Sequence, residues 1–203
     1  MAIKVANNQS LTAITALPAA VSGGAMTLLS TQTASSSATI SFTSGIDSTY
    51  DEYVFKLINI HPSGENDFLF NGSSDTGSNY NVTKTTTFFT TQHSETEAET
   101  PSLLYRTGED LAQSTSFQQL MGYGEMDADN DHSLNGTLHL FNPSSTTFVK
   151  HFYATTQTNI NTNYSNCGFI AGYFNTTSVI DAIQFKMSSG NIDAGTIKLY
   201  GIS

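Results

Sequence analysis

Residues 127–138 read DADNDHSLNGTL and place Asp127, Asp129 and Asp131 at alternate positions. That is the spacing of the front half of a calcium loop, where carboxylates converge on a hard cation. The back half departs from it. His132 stands where the sharp turn wants glycine, and Leu138 where a bidentate glutamate should close the coordination sphere. The three aspartates are therefore a weak calcium candidate, and a solvated acidic turn entering the next strand is the stronger reading. The five histidines (His61, His93, His132, His139 and His151) show no helical metal spacing. His139 and His151 could face each other across paired strands, but a histidine on a strand face usually serves as polar filler. The expectation is no metal.

Nucleophilic and phosphate chemistry fare no better. There is no Gly-x-Ser-x-Gly elbow and no phosphate loop. Paired carboxylates exist, but glycoside hydrolysis needs a spatial gap that spacing along a chain cannot supply. The single cysteine, Cys167, excludes an intrachain disulfide framework and a cysteine-rich zinc site, and in NCGFIAGYF it reads as a small buried hydrophobe. No enzyme and no cofactor are expected. Surface aromatics offer a binding chemistry instead. Tyr80, Tyr105, Tyr123 and Tyr164 lie in or beside polar segments, as candidate glycan contacts that could stack on sugar rings.

The stretch SFTSGIDSTYDEYVFKLINIHP gathers Asp47, Asp51, Glu52 and His61 within 15 residues, among aromatics. A strand explains it better than a site. Asp47 shapes a turn by bonding nearby backbone, and Asp51 and Glu52 stay wet at the strand's entry. His61 follows some ten residues on, roughly 30 Å from Asp51 if the chain is extended. Tyr53, Phe55 and Leu57 take one face, with Val54, Ile58 and Ile60 on the other, so the strand reads as central and covered on both sides.

The elements around these residues are strands. Charged residues make up 12% of the 203-residue chain, and Ser, Thr and Asn replace them. Those types suit strand faces and turns and weaken helix interiors. MTLLSTQT and SATISFTS read as a pair of strands. DFLFNG, TSFQQLMGYG, SLNGTLHLFNP, TTFVKHFYATTQT, CGFIAGYFN, SVIDAIQFKMSS and GTIKLYG bring the total to about ten. The one helix candidate is around GEDLAQ. Residues 71–83 and 91–100 read as loops at the rim. The Asn-x-Ser/Thr triplets at Asn71, Asn81, Asn135, Asn163 and Asn175 read as turns and strand edges.

Charge and hydropathy exclude further classes. Seven Lys and Arg against 17 Asp and Glu cannot form the basic stripe that binds nucleic acid. No stretch approaches the ~20 apolar residues of a membrane-spanning helix. LTAITALPAAVSGGA is a poor signal peptide, with only Lys4 before it and Thr12, Thr15 and Pro18 diluting its core. Residues 1–25 read instead as an N-terminal docking arm, with Leu11, Ile14 and Leu17 three apart for contact with a partner or the same domain.

Three phrases carry a family resemblance: MAIKVANNQSLTAITALP, LLSTQTASSSATISFTSGIDSTYDEYVFKLINIHP and GTIKLYGIS. Together they resemble small virion structural proteins of tailed bacteriophages, especially marine cyanophages. The resemblance implies an all-β virion part, on the capsid as decoration or in a tail or fibre appendage, with no catalytic residues to carry over. It implies other virion proteins as partners, and particle symmetry makes a cyclic homo-oligomer the default. The expected architecture is a single antiparallel β-sandwich of jelly-roll type over 26–203, behind the extended arm. A host-receptor or glycan-binding adhesin, touching a host surface glycan through 71–83 and 91–101, is the alternative.

Overall fold

The computed structural model describes residues 25–96, 100–122 and 124–202. The proposed docking residues Leu11, Ile14 and Leu17, and Tyr123, lie outside the described residues. In chain order the strands are β1 (Met26–Thr33), β2 (Ile40–Phe42), β3 (Glu52–Pro62), β4 (Phe68–Ser73), β5 (Lys84–Ser94) and β6 (Ser102–Tyr105). They continue as β7 (Gln118–Gln119), β8 (Leu134–Phe141), β9 (Lys150–Ile160), β10 (Tyr164–Phe174), β11 (Ala182–Met187) and β12 (Ile192–Ile202). The chain is all-β, with two antiparallel sheets. The larger has the order β1-β12-β3-β8-β9-β10-β5-β6 and the smaller the order β2-β11-β4-β7.

The sheets are joined by aromatic side chains that alternate inward along each strand, as period-2 patterning requires. Phe185 on β11 is fully buried. Its ring centroid lies 5.5 Å from Phe55 of the large sheet and 5.8 Å from Phe68 of the small one. Phe70 on β4 meets Phe152 on β9 edge-to-face at 5.1 Å. Tyr53 spends its hydroxyl on the turn before its own strand: it donates to the Asp47 carbonyl at 2.9 Å and accepts from the Asp47 amide at 3.0 Å. Asp47 Oδ1 accepts from the Thr49 amide at 2.8 Å, which makes the turn the sequence suggested. Hydrogen bonds from Thr49 hold the Asp47 carboxyl below its usual range. At the end of β12 the ring of Tyr50 lies where a side chain on Gly201 would be, 2.3 Å from an added Cβ, so this position admits only glycine without rearrangement.

Several sequence expectations change. β1 and β2 do not pair: β1 is an edge of the large sheet and β2 an edge of the small one, so the polar break between them carries the chain from one sheet to the other. GEDLAQ forms no helix; residues 107–109 are a turn, because Thr86 on β5 takes up the Leu111 backbone at both ends, its hydroxyl accepting from the Leu111 amide and its amide donating to the Leu111 carbonyl. Of the described residues of TSFQQLMGYG only Gln118 and Gln119 are strand. Residues 91–94 are the end of β5 rather than loop, since the threonines and Gln92 pair with β10 and β6. β3 is central, between β12 and β8, but is covered fully on one side only. Val54 is buried on the outer side while Ile58 is 36% exposed. A register shift between Leu57 and Ile60, with Asn59 at φ 50°, turns Ile60 into the core.

Candidate functional site: the outer face of the large sheet

The residues singled out by type do not assemble. Asp127 Oδ1 accepts from the Asp129 amide at 2.9 Å and lies 2.5 Å from His132 Nδ1. The Asp129 carbonyl, not its carboxylate, faces His61 Nε2 at 3.1 Å. Among the described residues no three His, Cys, Asp or Glu side chains converge as a metal would require. The acidic turn is closed on itself by His132, which takes the place of the expected glycine by bonding Asp127. His61 is near Asp193, not near the acids at the start of its own strand.

The tyrosines are scattered as well. Tyr80 is half-buried, with its hydroxyl enclosed and, among the described residues, without a hydrogen-bond partner. It packs on Gly77 (φ 80°) inside a tight turn that Asp75 organises, accepting from Ser73 Oγ at 2.7 Å and from the Asn79 amide at 2.8 Å. Those bonds hold the Asp75 carboxyl down to about 2. Residues 71–83 are thus an ordered connection rather than an open rim loop. Tyr164 packs against the core at the start of β10. Tyr105 is the open one, 54% exposed on the edge strand β6, and donates to Asp110 Oδ2 at 2.7 Å.

What the structure assembles instead is the outer face of the large sheet. Directly paired residues in an antiparallel sheet share a face, and the register therefore defines continuous rows. One row runs Lys198, Lys56, Thr137, Thr155, Phe169, Phe89 and Tyr105 across seven strands. The next runs Leu28, Tyr200, Val54, His139, Tyr153 and Ala171. Phe89 and Phe169 stack at 4.9 Å with planes 13° apart, and His139 and Tyr153 at 4.5 Å with planes 11° apart. His139 Nδ1 lies 2.5 Å from Glu52 Oε1, so Glu52 is bonded to the face and not merely wet. His139 therefore meets Tyr153 and Glu52, and His151 meets Tyr173 on the same face. Cys167 also lies on this side, half-buried beside a shallow depression with Thr91, His93 and Leu103, and not in the core. Burial raises its thiol, the opposite of an activated nucleophile.

This concentration of apolar surface is specific to the one face. Nine large hydrophobic side chains are exposed among the described residues, and seven of them (all except Leu104 and Phe148) lie on these rows or beside them on the same side. Acid is nearly missing from it. Of 17 Asp and Glu, only Glu52 and Asp193 fall within the eight strands of the large sheet. Asp193 sits at a register shift near the start of β12, held by Ser36 Oγ at 2.9 Å. Sequence reasoning missed the face because apolar residues in both phases of a strand read as burial on both sides. In CGFIAGYF both phases are apolar: Ile170 and Phe174 point inward, and Phe169 and Tyr173 outward.

The strongly perturbed groups lie elsewhere. Burial, with the charges of Glu125 and Glu109 nearby, raises the Asp67 carboxyl to about 6, while its Oδ1 accepts from Gln119 Nε2 at 2.9 Å. A carboxyl whose folded value lies above its unfolded one contributes most below the unfolded value and loses that contribution as pH rises through about 6. Asp67→Asn keeps an oxygen for Gln119 and removes the charge. With solvent screening of the half-buried carboxyl discounted, it should raise stability at pH 8 by about 2 kcal/mol and change little at pH 4, as read by urea denaturation at the two values.

Comparison with family models, with curated proteins and with solved structures returned no match. The described residues contain no helix long and apolar enough to cross a membrane.

Proposed function

We propose that this chain is a structural component of a tailed-phage particle: a β-sandwich of jelly-roll type, docked on the capsid or on a tail or fibre assembly through residues 1–25. The observation that carries a structural role is the acid-poor aromatic face on an acidic domain. Interface cores are depleted of charge and enriched in aromatics, and this face has both properties while the acids lie almost wholly outside its strands. The sequence phrases that resemble virion proteins supply the particle.

The rival adhesin reading rests on Tyr105 and Asp110, an exposed ring with a carboxylate at its edge. The aromatic pairs beside them favour protein. Rings stacked on each other across strands present edges outward, whereas a sugar needs an open ring face.

The test is incorporation. Particles assembled with the chain lacking residues 1–25 should omit it, although the remaining domain is folded and soluble. Retained incorporation would refute docking through the arm, and adsorption of the purified protein to host cells would favour the adhesin.

A further inference from the structure

We infer that the outer face of the large sheet binds a second copy of this chain, face to face about a two-fold axis running along the strands. The inference rests on the structural-component reading and adds the partner and the geometry.

Size comes first. Eight strands at ~4.8 Å spacing and up to ~11 residues at ~3.3 Å each present a face on the order of 1,000 Å². A stable interface needs about 800 Å² from each partner, so the face is large enough to serve alone. Charge comes next. The chain carries a net charge of −10, and two copies repel one another wherever acidic surfaces meet. This face lets them approach with its one paired carboxylate, Glu52, at the strand ends and already bonded to His139.

The row of paired residues then selects the axis. Lys198 and Lys56 stand at one end of it; Phe169, Phe89 and Tyr105, with Asp110 on the tyrosine hydroxyl, stand at the other. A two-fold axis parallel to the row would set lysine over lysine. An axis parallel to the strands exchanges the two ends and sets each copy's lysines over the partner's rings and Asp110. The stacked phenylalanines turn their edges outward, so the attraction lies with Asp110: an ammonium beside a carboxylate is favourable, and one beside another ammonium is not. Within its own chain the Lys56 ammonium lies 5.2 Å from the Tyr200 ring centroid. The two threonines between the ends, Thr137 and Thr155, lie near the axis and are small enough for close approach.

The experiment is sedimentation of the full chain with variants on the face, each checked for an unchanged far-ultraviolet spectrum and melting temperature. The wild-type chain should sediment as a dimer and Phe89→Glu as a folded monomer. Lys56→Glu combined with Lys198→Glu should weaken association about tenfold or more. Geometry is tested in a Cys167→Ser background by mixing Lys56→Cys protein with Phe169→Cys protein. Within one chain these positions are three strand spacings apart, ~14 Å, so oxidation should join one of each into a heterodimer. A monomeric wild-type chain, a dimer that survives Phe89→Glu, or no heterodimer on oxidation would each overturn the inference. So would a monomer that dimerises only after residues 1–24 are removed, since the face would then be covered by the chain's own arm. A monomer that still joins particles would refute this inference and leave the structural role standing.

Discussion

Phe185→Ala should lower the free energy of unfolding by about 4 kcal/mol, a large share of the roughly 5–15 kcal/mol that holds a domain folded. Phe185 is fully buried at the meeting point of the two sheets. Its ring lies 6.3 Å from Phe42, 5.5 Å from Phe55, 5.8 Å from Phe68 and 6.4 Å from Phe70, centroid to centroid. Phe42 and Phe70 belong to the two strands that flank β11, and Phe55 belongs to the facing sheet. Truncation therefore removes contacts within the small sheet and across the sandwich at once. Four large rings cannot all move to fill one space, so a cavity remains and its cost adds to the lost transfer energy. The control is Phe148→Ala, at a side chain 69% exposed, which should change stability by less than about 0.5 kcal/mol. Chemical denaturation of both variants, followed by circular dichroism, measures the contrast. Equal small losses would mean that the sheets are not held together at Phe185.

That contrast also marks how far the sequence could be read. Strand identity was legible wherever polar and apolar residues alternated: MTLLSTQT corresponds to β1, and Phe185 and Met187 alternate with Gln184 and Lys186 in β11 as expected. Pairing was less so. Adjacent strands usually neighbour each other, yet β1 and β2 part company, because the choice between hairpin and crossing depends on which distant strands offer unpaired edges. The candidate site was hidden for a related reason. Phe89, Tyr153 and Phe169 are unremarkable in their own strands, and only the register of β5, β9 and β10 places them side by side. The aspartates at 127–131 were conspicuous in sequence because they are close along the chain, but backbone and His132 bonds use part of what a cation would need.

Lys84 shows the same gap between residue type and environment, and it governs alkaline stability. A lysine in KTTTFFTTQHS carries no sign of burial, yet Lys84 is fully buried, opposite Phe174 on the inner face of β5. Its Nζ donates to Asn71 Oδ1 at 2.8 Å, to the Ser116 carbonyl at 2.6 Å and to the Val82 carbonyl at 3.3 Å. Three acceptors suit an ammonium, but none is a carboxylate, and burial pulls the amine down from 10.5 to about 7. Above about pH 7 the folded chain releases this proton while the unfolded chain keeps it up to its ordinary value of 10.5. The unfolded state then binds more protons, so stability must rise with pH, by about 1.4 kcal/mol per unit. From pH 7 to pH 10 the gain should total roughly 4 kcal/mol, with a smaller contribution of the same sign from Lys150, also lowered by burial. Cys167 and Tyr53 oppose it at the alkaline end, because burial raises both and the unfolded chain ionises first. Stability should therefore go on rising above neutrality, with Cys167 and Tyr53 limiting the gain at the alkaline end. Lys84→Met should flatten the rise, since it removes the titrating group while keeping the aliphatic stem against Phe174. Urea denaturation of both proteins from pH 6 to pH 10.5 reads the two slopes directly, and a wild-type curve flat across that range would mean that Lys84 stays charged in the folded protein.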